Sequence, residues 1–113
     1  MNRPREAISC FKRALLGSDA RETSLNLKIA SLHDLLDERA EAAAYHRRCV
    51  ELSVTAGRPV SEYVKSCMYV VRYQLLWGGG DRRLAKEYLE RVAGSNTEES
   101  PFAAEYLRKL RLD

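Results

Sequence analysis

The sequence predicts an all-α protein, an α-α superhelix of about six short helices stacked side by side. Three observations carry this. Apolar residues recur at spacings of three and four over long stretches, as they do on helix faces. A small–large–small triplet, spaced by four and then three residues, occurs three times, at Ala7/Phe11/Ala14, Ala42/His46/Cys49 and Ala85/Leu89/Val92. The second triplet lies 35 residues beyond the first at every position, an internal period of the kind that stacks helix pairs into a solenoid.

The first element is Pro4–Leu16. Small residues at Ala7 and Ala14 let a neighbouring helix approach, and the Phe11 ring fills the gap between them. That spacing is the one found in the second helix of a tetratricopeptide (TPR) unit. The chain is therefore expected to open in the middle of a repeat, as the cut edge of a longer superhelix. Phe11 should pack onto the next helix, so that Phe11→Ala costs about 3 kcal/mol. The opposite side, around Ile8 and Leu15, should lie open and offer a surface for self-association. Gly17 suits a left-handed cap and Ser18-Asp19 a turn.

A second helix is expected over Arg21–Leu36, with Leu25, Ile29, Leu32 and Leu36 along one face. Leu27 and Leu35 fall off that stripe and predict a second apolar face, as a helix held between two neighbours requires. Asp37-Glu38 breaks the pattern and places acids where the dipole of a third helix, Arg39–Thr55, favours them. Its segment EAAAYHRRCVEL is a strong helix former. Ala56-Gly57-Arg58-Pro59 interrupts, and a fourth helix is expected from Val60 to Trp77. Tyr69–Tyr73 alone could pass as a strand because of its β-branched residues. The length without Gly or Pro favours a fully buried helix instead.

Gly78-Gly79-Gly80 reads as a hinge-like loop. Asp81 caps a fifth helix, Arg82–Val92, which Gly94-Ser95-Asn96 ends. In the sixth, Ser100 is the expected N-cap and Pro101 sits in the first turn. Phe102, Tyr106, Leu107 and Leu110 form its apolar side. Arg108, Lys109 and Arg111 form a polar face that would shield the end of a solenoid. The expected units are 4–16, 21–55, 60–93 and a capping helix at 100–112.

Composition narrows the function. At 113 residues, with 45% hydrophobic and 31% charged residues, the chain suits one globular domain. Its most apolar segment, Cys67–Trp77, is interrupted by Arg72 and Gln74, so no membrane span is expected. The opening MNRPREAISC has no apolar signal core, and a place in the nucleus and cytoplasm is the expectation. Cys10, Cys49 and Cys67 form no C-x₂-C pair and are read as reduced core thiols.

Catalytic and metal signatures are missing. His33 and His46 have no carboxylate or Cys at ligand spacing and are read as packing residues between helices. No Ser occupies a nucleophile elbow, and the glycine run lacks the Lys-Ser/Thr of a phosphate loop. Neither an enzyme nor a cofactor is expected. The net charge of +3 is mild. Arg47-Arg48, Arg82-Arg83 and Arg108-Lys109-Arg111 could form a basic stripe, but no nucleic-acid motif accompanies them and solvated helix faces account for them. The expected partners are proteins, as peptide segments in a concave groove lined by the first helix of each pair. By helical phase its residues are Leu27, Ser31 and Asp34, then Lys65, Met68 and Arg72. The Lys/Asn/Arg set that clamps a C-terminal carboxylate in some chaperone-associated TPR domains is not present as a set.

Two segments carry a closer likeness. Ala7-Ile8-Ser9-Cys10-Phe11-Lys12-Arg13-Ala14 closes one unit, and Leu25–His33, containing Ile29-Ala30, opens the next. Together with the long third helix and Tyr69–Trp77, they resemble the C-terminal repeats of the subunit-eight family of the anaphase-promoting complex/cyclosome. Val70-Val71 in place of Leu-Ala, Gln74 in place of Tyr, and the Gly78–Gly80 insertion depart from that pattern. The resemblance implies a non-catalytic scaffold of a multisubunit ubiquitin ligase that drives mitosis and cell division. It would hold neighbouring subunits or regulators, with the catalytic residues on other subunits.

Overall fold

The computed structural model describes residues 3–16 and 22–110. Among the described residues six α-helices follow one another: α1 (Pro4–Leu15), α2 (Glu22–Leu35), α3 (Arg39–Thr55), α4 (Val64–Leu76), α5 (Arg82–Ala93) and α6 (Ser100–Leu110). No strand occurs among the described residues. The principal helix–helix contacts join each helix to the next in sequence, in an array of 43 × 30 × 22 Å. This is the TPR-like α-α superhelix that the periodicity predicts. The predicted Gly17 cap, the Ser18-Asp19 turn, Arg21, Arg111 and the side chain of Leu110 lie outside the described residues.

The core sits between α4 and α5. Cys67, Met68, Val70 and Val71 of α4 cluster with Leu84, Tyr88, Leu89 and Val92 of α5, closed by Val50 from α3 and Ala103 from α6. The β-branched pair Val70-Val71 is fully buried within a helix, so tertiary packing overrides the strand propensity of Tyr69–Tyr73. Ala42/His46/Cys49 and Ala85/Leu89/Val92 are buried throughout.

The first triplet behaves differently. Ala7 and Phe11 are half-buried and Ala14 is exposed, whereas Ile8 is only 5% exposed. The seam of α1 is therefore Ile8, Phe11 and Leu15, and the expected open side around Ile8 is in fact its packed side. Helix geometry gives the reason. Ile8 and Cys10 are two residues apart, about 200° around the axis. With Ile8 turned inward, Cys10 must face out, and it is exposed. Cys49 and Cys67 are buried as expected. Phe11 still meets α2, where Lys28 Nζ lies 5.4 Å from its ring centroid.

The second buried face of α2 is also not the predicted one. Leu27 and Leu35 are 45% and 68% exposed, while Asn26, Ala30 and His33 are buried. Polar residues occupy a seam where apolarity alone was the guide.

Helix ends show how the chain turns. At the end of α2 the Glu38 N–H reaches back to the His33 carbonyl at 2.8 Å, with Asp37 left-handed at φ 59°. At the end of α3 the Arg58 N–H reaches the Ser53 carbonyl at 3.0 Å, with Gly57 at φ 73°. Both are Schellman-type closures. Helix α4 begins later than predicted. Pro59 is extended, Val60–Glu62 forms a 3₁₀ turn, and Tyr63 at φ −132° interrupts the helical path before Val64. The Tyr63 side chain is buried at that break.

Asp81 caps α5 as predicted, its Oδ1 accepting from the Leu84 N–H at 3.0 Å. A Cβ at Gly79 would overlap the Gln74 amide and the Tyr73 ring, so both side chains would have to move to admit one. Ser100 is the first residue of α6 rather than its N-cap. Its Oγ donates to the Val92 carbonyl at 2.8 Å and accepts from the Thr97 N–H at 2.9 Å. The hydroxyl ties α6 back to the end of α5 instead of capping its own helix.

Candidate functional site

The six residues predicted for the groove divide in the structure. Leu27, Ser31 and Asp34 lie exposed along α2, with Leu35 beyond them. Ser31 Oγ donates to the Leu27 carbonyl one turn back, at 3.0 Å. On α4, Lys65 is exposed and Arg72 half-buried. Met68 is 1% exposed and belongs to the core cluster, which corrects its placement on the open side. It stands three residues after Lys65 and four before Arg72, on the flank of the helix face they mark, where helical phase alone does not decide burial.

The structure brings the two helices together through a residue that phase reasoning missed. Tyr69 Oη of α4 donates to Asp34 Oδ1 of α2 at 2.7 Å. Helices α2 and α4 begin 42 residues apart, so Asp34 and Tyr69, 35 residues apart, are not equivalent positions of successive units, and no sequence period marks this contact. Burial, followed by the Asp34 carboxylate, pushes the Tyr69 phenol well above its usual range, so the hydroxyl keeps its proton and donates.

Around this bond stands an aromatic group. The Tyr69 ring lies 4.5 Å from His46 and meets the Trp77 ring edge-on at 5.2 Å. The Arg39 guanidinium covers Trp77 at 4.3 Å, a cation–π contact. Residues from α2, α3, α4 and the turn after α4 thus fix the relative height of the two helices that carry the exposed positions.

Among the described residues, His46 and Ser66 form an arrangement that resembles reaction chemistry. His46 Nδ1 and Ser66 Oγ are 2.9 Å apart, the distance of a nucleophile and its base. Both side chains are buried, at 8% and 4% exposure, and burial lowers the imidazole pKa to about 4. A base so weakened and sealed from substrate serves as a hydrogen-bonded strut between α3 and α4. His33 is buried likewise. Its Nδ1 meets Glu38 Oε1 at 3.0 Å and its ring stacks on Tyr45 at 5.7 Å. Glu38 also takes the Arg5 guanidinium at 2.9 Å, and these two bonds, Arg5 first, hold its carboxyl below the usual range. The unit ties α1 to the α2–α3 turn. No group of three His, Cys, Asp or Glu side chains fit to hold a metal occurs among the described residues, and no helix is long and apolar enough to cross a membrane.

Fold and surface together define a TPR-like helical stack whose exposed α2 and α4 positions are apolar, hydrogen-bonding and cationic in turn. The chain is similar to anaphase-promoting complex subunit CDC23 of Saccharomyces cerevisiae, with 26% identity over 109 residues. That match covers 94% of this chain and 17% of the yeast protein, so the chain spans about a sixth of its curated relative. No protein-family profile and no solved structure matches the chain.

Proposed function

We propose that this chain is a non-catalytic TPR-like scaffold segment of an anaphase-promoting-complex-type ubiquitin ligase, holding neighbouring subunits or regulators in cell-cycle control. The observation that carries this reading is the similarity to CDC23 along nearly the whole chain, on a helical stack of the same type that its repeats predict. The subunit-eight lineage is the specific member that the AISCFKRA and Leu25–His33 segments favour. A scaffold needs rigid, addressable surfaces rather than a reaction centre. The Tyr69–Asp34 bond and the Trp77–Arg39 stack supply the rigidity. Leu27, Ser31, Asp34, Lys65 and Arg72 are the positions offered to a partner peptide, and assembly would occur in the nucleus and cytoplasm.

Affinity purification of the tagged chain from dividing cells tests this. Recovery of other anaphase-promoting-complex subunits is expected, reduced when Leu27 and Lys65 are both replaced by Asp. Recovery of chaperones alone would overturn the assignment.

A further inference from the structure

Away from the positions just described, α1 and α3 border a cleft of ≈ 500 Å³ lined by Lys12, Arg13, Leu15, Leu16, Tyr45 and Arg48. Three cations surround an apolar floor, and no carboxylate lines it. The charge is concentrated there selectively. Of the other cations on these two helices, Arg5 pairs with Glu38, Arg47 pairs with Glu51, and Arg39 covers Trp77; within the cleft, Lys12 lies over the Tyr45 ring at 5.4 Å. Lys12, Arg13 and Arg48 form no ion pair among the described residues. All three side chains are exposed, and Leu16 is 90% exposed beside them.

We infer that this cleft docks an acidic peptide segment of a partner protein, one that places an aliphatic or aromatic side chain on Leu15 and Leu16 and its carboxylates on Lys12, Arg13 and Arg48. Charge complementarity selects the acidic chain. The apolar floor selects a peptide with a hydrophobic anchor over a simple anion. A nucleic acid fits less well, because the Tyr45 ring that a base would stack on already carries Lys12 Nζ at 5.4 Å and His33 at 5.7 Å. The cleft is formed by α1 and α3, so this surface is independent of the α2–α4 positions proposed for the scaffold role.

Selection of a phage-displayed random library of peptides about 12 residues long on the immobilised chain tests the inference. Enriched peptides should carry several Asp or Glu around a Leu or Phe. Binding of an enriched peptide, made synthetically and followed by fluorescence anisotropy, should weaken at least ~10-fold in the Lys12→Glu/Arg48→Glu variant and fall steeply with salt. Leu16→Asp, at a site too exposed to affect folding, should weaken it ~5-fold. Circular dichroism establishes that each variant is folded, and Arg13→Glu replaces the double variant if that one is not. Failure to enrich acidic peptides, or equal binding by these variants, overturns the proposal. It is also overturned if the same substitutions instead abolish a dimer seen by light scattering, or the binding of a labelled single-stranded oligonucleotide.

Discussion

At the scale of single residues, burial rather than residue type decides what each side chain contributes. Ile8 is nearly enclosed and Phe11 half-open, so Ile8→Ala should cost about 2–3 kcal/mol and Phe11→Ala about 1–2. Urea denaturation of the two variants gives the order, and a larger loss at Phe11 would return the seam to the predicted Ala7/Phe11/Ala14 stripe. Gly57 is a different case. It is left-handed with open space around its Cα, so Gly57→Ala carries only the backbone penalty, about 1 kcal/mol, measured the same way. His46 makes stability pH-dependent. Its folded pKa of about 4 lies below the unfolded value near 6.5, so the unfolded chain takes up a proton that the folded chain refuses. The stabilisation is full above pH 6.5 and is lost as pH falls towards 4. Between pH 7 and 5 the loss is about 2 kcal/mol, and His46→Phe should flatten that slope in urea titrations at the two pH values. Glu38, whose depressed pKa acts only below the ordinary carboxylate range, does not interfere in that window.

At the scale of elements, the caps and the inter-helix bonds set how each helix is held. Asp81→Ala removes the acceptor for the Leu84 N–H and should cost about 1 kcal/mol. Tyr69→Phe deletes the hydrogen bond to Asp34 while keeping the ring against His46 and Trp77, and about 1 kcal/mol is expected. Thermal melting reads both. Helix number, and most helix ends, were legible in the sequence because caps and breakers are local signals: Asp81, Gly57 and the glycine run act within a few residues of themselves. The failures share one cause. The buried face of a helix depends on where its neighbours stand. Leu27 and Leu35 were apolar and turned out, while Asn26 and His33 were polar and turned in. Ser100 had the chemistry of a cap, but the returning end of α5 captured its hydroxyl. Met68 could not be separated from the solvent side because it flanks the face of α4 that Lys65 and Arg72 mark. The Asp34–Tyr69 contact had no local signal, because it depends on how α2 and α4 stand against each other.

At the scale of the molecule, contacts between consecutive helices make stability a property of neighbours rather than of one centre. In such a stack each helix is held by the interfaces on its two sides, and a helix at either end of the described array has a principal interface on one side only. The burial pattern follows that logic. Residues at under 1% exposure concentrate in α2 to α5, whereas α1 buries Ile8 alone and α6 leaves Phe102 63% exposed. Opening of α6 would release Ala103, the half-buried Tyr106 and Leu107, and the Ser100–Val92 bond, but would leave the α4–α5 contacts in place. Opening of α4 or α5 would tear the whole core cluster. Native-state hydrogen exchange should therefore show α1 and α6 exchanging through local openings that barely depend on denaturant. Amides of α4 and α5 should exchange only through global unfolding, with a slope matching that of equilibrium urea melts. Ser100→Ala should speed exchange in α6 without changing the rate in α4. Uniform protection across all six helices would mean that the array unfolds as one unit, and that its ends are not the compliant surfaces a docking segment would first meet.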